Sequence, residues 1–292
     1  MRSKNIGASE VACLFGMERP YQHSKWTLWQ VKSGNLSEED AGMRLGERPR
    51  WGLLLESAIM EANAEDAGWR AWRRAGYFQH PTVEGFGCTP DFFALDEPHG
   101  TPIAQCETKN VDFLIFRDEW TEKEPPEHIL MQIQAQMANT GFDEVHATAL
   151  VGGNTACRKV VERRPKIIEA IESAVEEFWY SIETNNPPPI DGKDGTARAV
   201  KNLYRPDNGK TLDVGDDRDF LTLVGELAAR RKIANEHRKE ILEIENQIYC
   251  RIQNAEIVKS NGVVILTAKE IMRKGYTVEE EPVRKLHIPK IR

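Results

Sequence analysis

The sequence predicts a mixed α/β protein, and three observations carry that prediction. A segment with apolar residues at helical steps (50–68) precedes three strand-like segments separated by turn chemistry (69–80, 85–95 and 101–110). A further helical segment, 127–141, is followed by another strand, 144–153. Composition supplies the core that such layers need, with 40% hydrophobic and 29% charged residues.

Each element follows from local sequence. Residues 8–17 and 24–33 read as helices: Ser9 stands where an N-cap would, with Glu10 in the first turn, and the second helix ends at Gly34. In 50–68, Leu55, Ile59 and Ala62 form an apolar row, Glu56 lies beside it, and Gly68 occupies the stop position. The segments "PTVEG" and "DEPHG" are the turns between the strands. After Pro125 and Pro126, Ile129, Ile133 and Met137 form one helical face, Gln132 and Gln136 form another, and Gly141 ends the helix. Residues 164–185 are an amphipathic helix closed by "NPPPIDGKDG". Residues 217–255 read as one long charged helix with a narrow apolar stripe, followed by a hairpin around Asn261-Gly262 and a basic tail expected to be mobile. The expected organisation is therefore 1–188, a linker 189–216, and a C-terminal helix and hairpin region 217–292.

Several classes are disfavoured. No run approaches the ~20 apolar residues of a membrane span, and the first residues lack the apolar region of a signal peptide. Cys13, Cys88, Cys106, Cys157 and Cys250 are scattered without a CxxC pair, which points to a reduced, cytoplasmic protein. Net charge is −7, which argues against nucleic acid until one allows that a site collecting carboxylates is offset by bound cations. Basic clusters at 44–50, 70–74, 158–166 and 229–232 leave DNA permitted, although each also reads as a solvated helix face.

The stretch "CTPDFFALDEPHGTPIAQCETKN" concentrates the chemistry. Glu107 and Lys109, two apart on a strand, share a face. Asp91 on the neighbouring strand and Glu56 on the preceding helix can converge with them on one or two divalent cations, and hard oxygen ligands suit Mg2+ or Mn2+. A lysine beside such a cation can orient or help deprotonate a water, which is what phosphodiester hydrolysis requires. Each residue also has a plainer reading. Glu107 and Lys109 could be an ion pair on a solvated strand, Asp91 could open a turn, and Glu56 could be a helix-surface acid.

With "IGASEV", "GLLLESAI", "CTPDFFAL", "CETKN" and "MQIQAQM" in order, the sequence resembles the lambda-exonuclease-type (YqaJ-like) phage recombination nucleases of the PD-(D/E)xK superfamily. The resemblance covers residues 2 to roughly 190 well and the remainder loosely. It implies a nuclease core with a central mixed β-sheet flanked by helices, to which the C-terminal helix and hairpin are added. It implies that Asp91 and Glu107, with the backbone carbonyl of Thr108, bind metal, that Glu56 binds or orients the second metal or its waters, and that Lys109 positions or activates the attacking water. Gln132 matches a glutamine near the catalytic centre, with Gln134 its neighbour. Arg2 and Ser9 match a 5′-phosphate pocket, and Arg117 is a looser match to that pocket's second arginine; pairing with Asp118 or Glu119 is its other reading. The family usually has a tryptophan and more chain upstream of the arginine that is residue 2 here, and many members read "CP" after the lysine, where this chain reads "NVDF".

The function that follows is a Mg2+-dependent DNA exonuclease (Mn2+ being the alternative ion), with one or two ions per site and no iron–sulfur cluster. It would act 5′→3′ on linear double-stranded ends to leave 3′ single strands for recombination. The resemblance also implies a trimeric ring, a single-strand annealing protein as partner, and action in the cytoplasm of a bacterial host. An endonuclease of the same fold and a catalytically silent DNA-binding module are the alternatives. Retention of Glu56, Asp91, Glu107 and Lys109 disfavours the silent module.

Overall fold

The computed structural model of the chain describes residues 4–19, 22–42, 47–204 and 211–270, apart from the side chain of Arg48. Arg2 and the basic tail lie outside the described residues. The chain divides into two compact units, Met1–Arg205 and Pro206–Arg292. Among the described residues, no helix is long and apolar enough to cross a membrane.

The first unit begins with β1 (Ile6–Gly7), a 3-10 turn (Ala8–Glu10) and α1 (Val11–Leu14), where a single longer helix was expected. Gly7, not Ser9, is the N-cap of that turn, and its amide donates to Glu10 Oε2 at 2.7 Å. Helix α2 (Lys25–Lys32) follows, with Ser24 accepting at its start from the Thr27 amide, and then α3 (Glu47–Ala67).

Two of the expected strands are each broken in two. Residues 69–80 become β2 (Ala71–Arg74) and β3 (Phe78–Gln79), and residues 85–95 become β4 (Phe86–Cys88) and β5 (Phe92–Leu95). The breaks face each other, at Ala75–Tyr77 and at Thr89-Pro90-Asp91. Pro90 has no N–H for a ladder, and the Ala75 amide bonds Asp91 O at 3.1 Å across the bend. One ribbon thereby serves two sheets, a three-stranded one in the order β1-β4-β3 and one arm of a five-stranded one.

The five-stranded sheet continues with β6 (Pro102–Val111). Then come α4 (Phe113–Glu119), whose N-cap Asp112 accepts from the Leu114 amide, and α5 (Glu127–Thr140), closed by Gly141 at φ +80. Strands β7 (Glu144–Val151) and β8 (Thr155–Glu162) complete the order β2-β5-β6-β7-β8, in which β6 and β7 pair parallel and the other pairs are antiparallel. This is a mixed sheet flanked by helices. On one face, Met60 and Ala64 of α3 cover Phe92, Ala94, Ala104 and Cys106. On the other, Ile133 and Met137 of α5 join Val145, Ala147, Ala149 and Val151 of β7 in the main core, with Ile168, Ile171, Val175 and Phe178 of α6 (Pro165–Glu183).

The stretch 189–216, expected as a linker, contains α7 (Asp194–Leu203). Its Ala199 packs with Trp26, Leu36 and Ala41. The second unit holds α8 (Arg218–Ile252), capped by Asp217, and the hairpin β9 (Ile257–Ser260) and β10 (Val263–Thr267). The hairpin turns on Asn261 and Gly262, both at positive φ, as the sequence signal demands.

Candidate active site

The sheet register explains why Asp91 and Glu107 meet. Phe92 lies opposite Cys106 in the antiparallel β5–β6 pair, so the residue before Phe92 falls across from Glu107. Asp91 is fixed there by Thr108, whose amide donates to Oδ2 at 2.8 Å and whose hydroxyl donates to the same oxygen at 3.0 Å. Burial raises the Asp91 carboxyl to about 7, and the charge of Glu107 adds to the rise. Lys109 and the Thr108 amide oppose it, and Glu56 contributes to it.

Glu107 is 0% exposed, so its charge depends on its partners. Lys109 Nζ, on the same strand face, donates to Oε1. Gln132 Nε2 donates to Oε1 at 2.6 Å, and Gln136 Nε2, one helical turn later on α5, donates to Oε2 at 2.7 Å. Strand period and helical repeat together bring an acid, an ammonium and two amides to one point.

Glu56 stands on the α3 face. Arg74 binds its Oε2 at 3.0 Å, bonds Ser57 Oγ at 3.0 Å, and lies over the Phe92 ring at 5.0 Å. Glu56 therefore reaches the centre through its charge on Asp91 rather than through a hydrogen bond. Gln134, in contrast, serves the fold: it donates to Glu162 O and accepts from the Arg164 amide.

Of the three residues expected in a phosphate pocket, Arg2 lies outside the described residues. Ser9 is exposed, with its carbonyl accepting from Gln22 at 3.3 Å. Arg117 pairs with Asp118 at 2.7 Å, its other reading. The basic cluster 158–166 is largely engaged within the protein, on β8 and the loop after it. Arg158 bonds Asn63 and Asp66, Lys159 bonds Glu122 O, Arg163 bonds two carbonyls, and Arg164 pairs with Glu124. Cys88 and Cys106 are core thiols, each pushed up to about 12, chiefly by burial.

Gln136, the Thr108 hydroxyl and Arg74 are the site residues that sequence reasoning misses. The i, i+4 pairing of Gln132 and Gln136 on a polar helical face is the signal that could have found Gln136. Arg74 falls in the basic cluster 70–74, but nothing local marks it as a partner of Glu56.

The donor set fits a hard divalent cation. Both Thr108 bonds go to Asp91 Oδ2, Oδ1 takes no hydrogen bond among the described residues, and the half-buried Asp91 and the fully buried Glu107 are adjacent and mutually repelling. No three His, Cys, Asp or Glu side chains gather into a metal cage among the described residues. Two carboxylates suit Mg2+, which keeps several waters and binds through one or two carboxylates plus substrate phosphates.

No curated protein matches the chain. Similar solved structures include an alkaline exonuclease, LHK-Exo, from Laribacter hongkongensis, with 20% identity and a TM-score of 0.49 over 63% of this chain and 91% of that one. The complex of LHK-Exo with dAMP aligns with 21% identity and a TM-score of 0.48 over the same shares. The model of the YqaJ-like viral recombinase domain matches residues 1–143, a span that contains Glu56, Asp91, Glu107, Lys109, Gln132 and Gln136. Residues 1–143 are thus similar to the YqaJ-like viral recombinase domain.

Proposed function

We propose that the chain is a metal-dependent DNA exonuclease of the phage recombination type, built on a PD-(D/E)xK core. In this reading it degrades linear double-stranded DNA 5′→3′ and leaves 3′ single strands. The observation that carries the reading is the convergence of Asp91, just before β5, with Glu107 and Lys109 of β6 and Gln132 of α5. The match of residues 1–143 to the YqaJ-like viral recombinase domain supports a nuclease of this type.

Asp91, Glu107, the Thr108 carbonyl and Glu56 would hold Mg2+, with Mn2+ able to replace it. The ion would polarise the phosphoryl oxygen and make a bound water more acidic. Lys109, held by Glu107, keeps an ammonium where it can position the attacking water or neutralise the developing oxyanion. Gln132 fixes the same carboxylate oxygen and so the lysine's partner. Thr108 orients Asp91. Arg74 restrains Glu56, leaving its charge directed at Asp91.

A 5′-phosphate pocket of Arg2, Ser9 and Arg117, a trimeric ring, and a single-strand annealing partner extend this reading. Digestion of linear duplex DNA labelled at each end, 5′-phosphorylated or not, beside a closed circle and with Mg2+ or EDTA, tests it. Mg2+-dependent loss from 5′-phosphorylated ends with an intact circle is the expected result. Internal cutting of the circle would make the protein an endonuclease, and DNA binding without cleavage under any divalent ion would make it a silent module.

A further inference from the structure

The two oxygens of Glu107 are held from different sides. Oε1 takes Lys109 and Gln132, and the Lys109 side chain is 28% exposed, so this side borders solvent. Oε2 takes Gln136, which is 1% exposed and lies on the sealed side. Behind Gln136 runs a buried chain of amides. Gln105, 0% exposed, donates from Nε2 to Gln136 Oε1 at 3.1 Å, and Gln105 Oε1 accepts from the Thr140 hydroxyl at 2.7 Å.

The polarity of this chain is set at the Glu107 end. A carboxylate gripped by an ammonium accepts at both oxygens, so Gln136 must turn its NH2 group toward it, because amide oxygen facing carboxylate oxygen would repel. That leaves Gln136 Oε1 in need of a donor, which Gln105 supplies, and Gln105 Oε1 in need of one, for which the Thr140 hydroxyl stands at 2.7 Å, nearer than the Gln136 carbonyl at 3.0 Å that competes for its single proton. Gln136 and Thr140 sit on α5 and Gln105 on β6, so the relay also ties the helix that carries Gln132 to the strand that carries Glu107. Two apolar side chains at 105 and 136 would join helix to strand with no buried polar atoms to satisfy. The amides are accounted for by the acid on which they end.

We propose, on the nuclease reading above, that Gln136 is a positioning residue for metal binding. It pins Oε2 of Glu107 from the sealed side so that Oε1 is presented at the open side, and Gln105 and Thr140 lock its amide in the donating orientation. Lys109 and Gln132 flank the oxygen offered to the cation, whereas Gln136 acts only through Glu107. Without it the carboxylate is held through Oε1 alone, and the buried Oε2 loses its one partner among the described residues.

Calorimetric titration of Mn2+ into the metal-free full-length chain, without DNA, tests this directly. Gln136→Met keeps comparable volume but removes the donor. It should weaken Mn2+ binding about 10- to 100-fold, the usual cost of losing a partner behind a metal ligand, while thermal melting in EDTA remains cooperative. The Mn2+ concentration for half-maximal nuclease rate should rise by a similar factor, with the rate recovering at saturating Mn2+. Gln105→Met, which touches neither Glu107 nor the open side, should weaken binding in the same direction by a smaller factor. It decides the matter if Gln136→Met does not fold. Wild-type Mn2+ affinity in folded Gln136→Met, or in Gln105→Met where that variant decides, overturns the relay and leaves the nuclease reading standing. A wild-type chain that takes up no Mn2+ overturns both.

Discussion

At the scale of single residues, the site separates charge from proton. Lys109 is held against Glu107, while Asp91 accepts from the Thr108 amide and hydroxyl and is raised to about 7 by burial and by the charge of Glu107, with Lys109 opposing. A proton on Asp91 competes with a cation for the same carboxylate. Below pH 7 the metal-free site is mainly protonated there, so Mn2+ affinity should climb between pH 6 and pH 8 and level off above. Calorimetry at several pH values checks this, and a flat profile would show that Asp91 is not a ligand. Lys109→Ala should instead keep Mn2+ and DNA binding and lower the single-turnover cleavage rate ~10²-fold or more. Cleavage by that variant at the wild-type rate would remove the lysine from the chemistry. These residues are legible in the sequence because a strand's period of two and one strand-to-strand register suffice to gather Asp91, Glu107 and Lys109. Arg74 is not legible, because its partner Glu56 lies eighteen residues earlier and only the packing of α3 on β2 and β5 brings them together.

At the scale of elements, local signals succeed where one face is strongly apolar and fail at edges and bends. Helix α5 announces itself through Ile129, Ile133 and Met137 and ends at Gly141 as its sequence dictates. Strand β8 is an edge strand on which Val161 alone is fully buried, so its charges read as a solvated helix. The bend at Pro90 reads as a turn, but that it moves one ribbon between two sheets depends on β1 pairing with β4. Gly85 sets that pairing. Its carbonyl accepts from the Ile6 amide and the Trp179 indole, both at 2.8 Å, its φ is +71, and an added Cβ would lie 2.4 Å from Trp179 Nε1. Gly85→Ala should cost roughly 2–4 kcal/mol by combining overpacking with left-handed strain, read from urea denaturation; a loss within 0.5 kcal/mol, the usual range of ~0.5 for neutral surface changes, would show that Trp179 moves aside freely. His128, in the first turn of α5, is lowered from 6.5 to about 4 by burial first and then by Arg19, with Lys109 adding and Glu119 opposing. Between those values the unfolded chain binds the extra proton, so this contribution is full above pH 6.5 and is lost as pH falls toward 4. Melting temperatures from pH 7 to pH 4 should therefore fall less steeply in His128→Gln than in the wild type. Parallel curves would mean that the histidine titrates normally.

At the scale of the whole molecule, the question is where the unit that carries the site ends. The Pro-rich run 186–190 is the strongest boundary signal in the sequence and places the end at 188. Yet the residues just beyond it return to the first unit. Ala199 is fully buried against Trp26, Leu36 and Ala41. Thr196 bonds Ser24, the N-cap of α2, at 2.5 Å, Asn202 bonds Asp40 O at 2.6 Å, and Lys193 pairs with Glu18. Proline ends a helix without ending a domain, and no local signal reports that the next helix folds back. Chains ending at residue 205 and at residue 188 separate the two boundaries. The first should melt cooperatively and retain Mn2+ binding, because every residue of the site lies before it. The second loses three bonds at about 1 kcal/mol each and uncovers Trp26, so its Tm should fall by roughly 6–12 °C or more, with Mn2+ binding weakened only through the lower stability. Equal melting of the two chains would return the boundary to 188 and reduce α7 to a surface appendage.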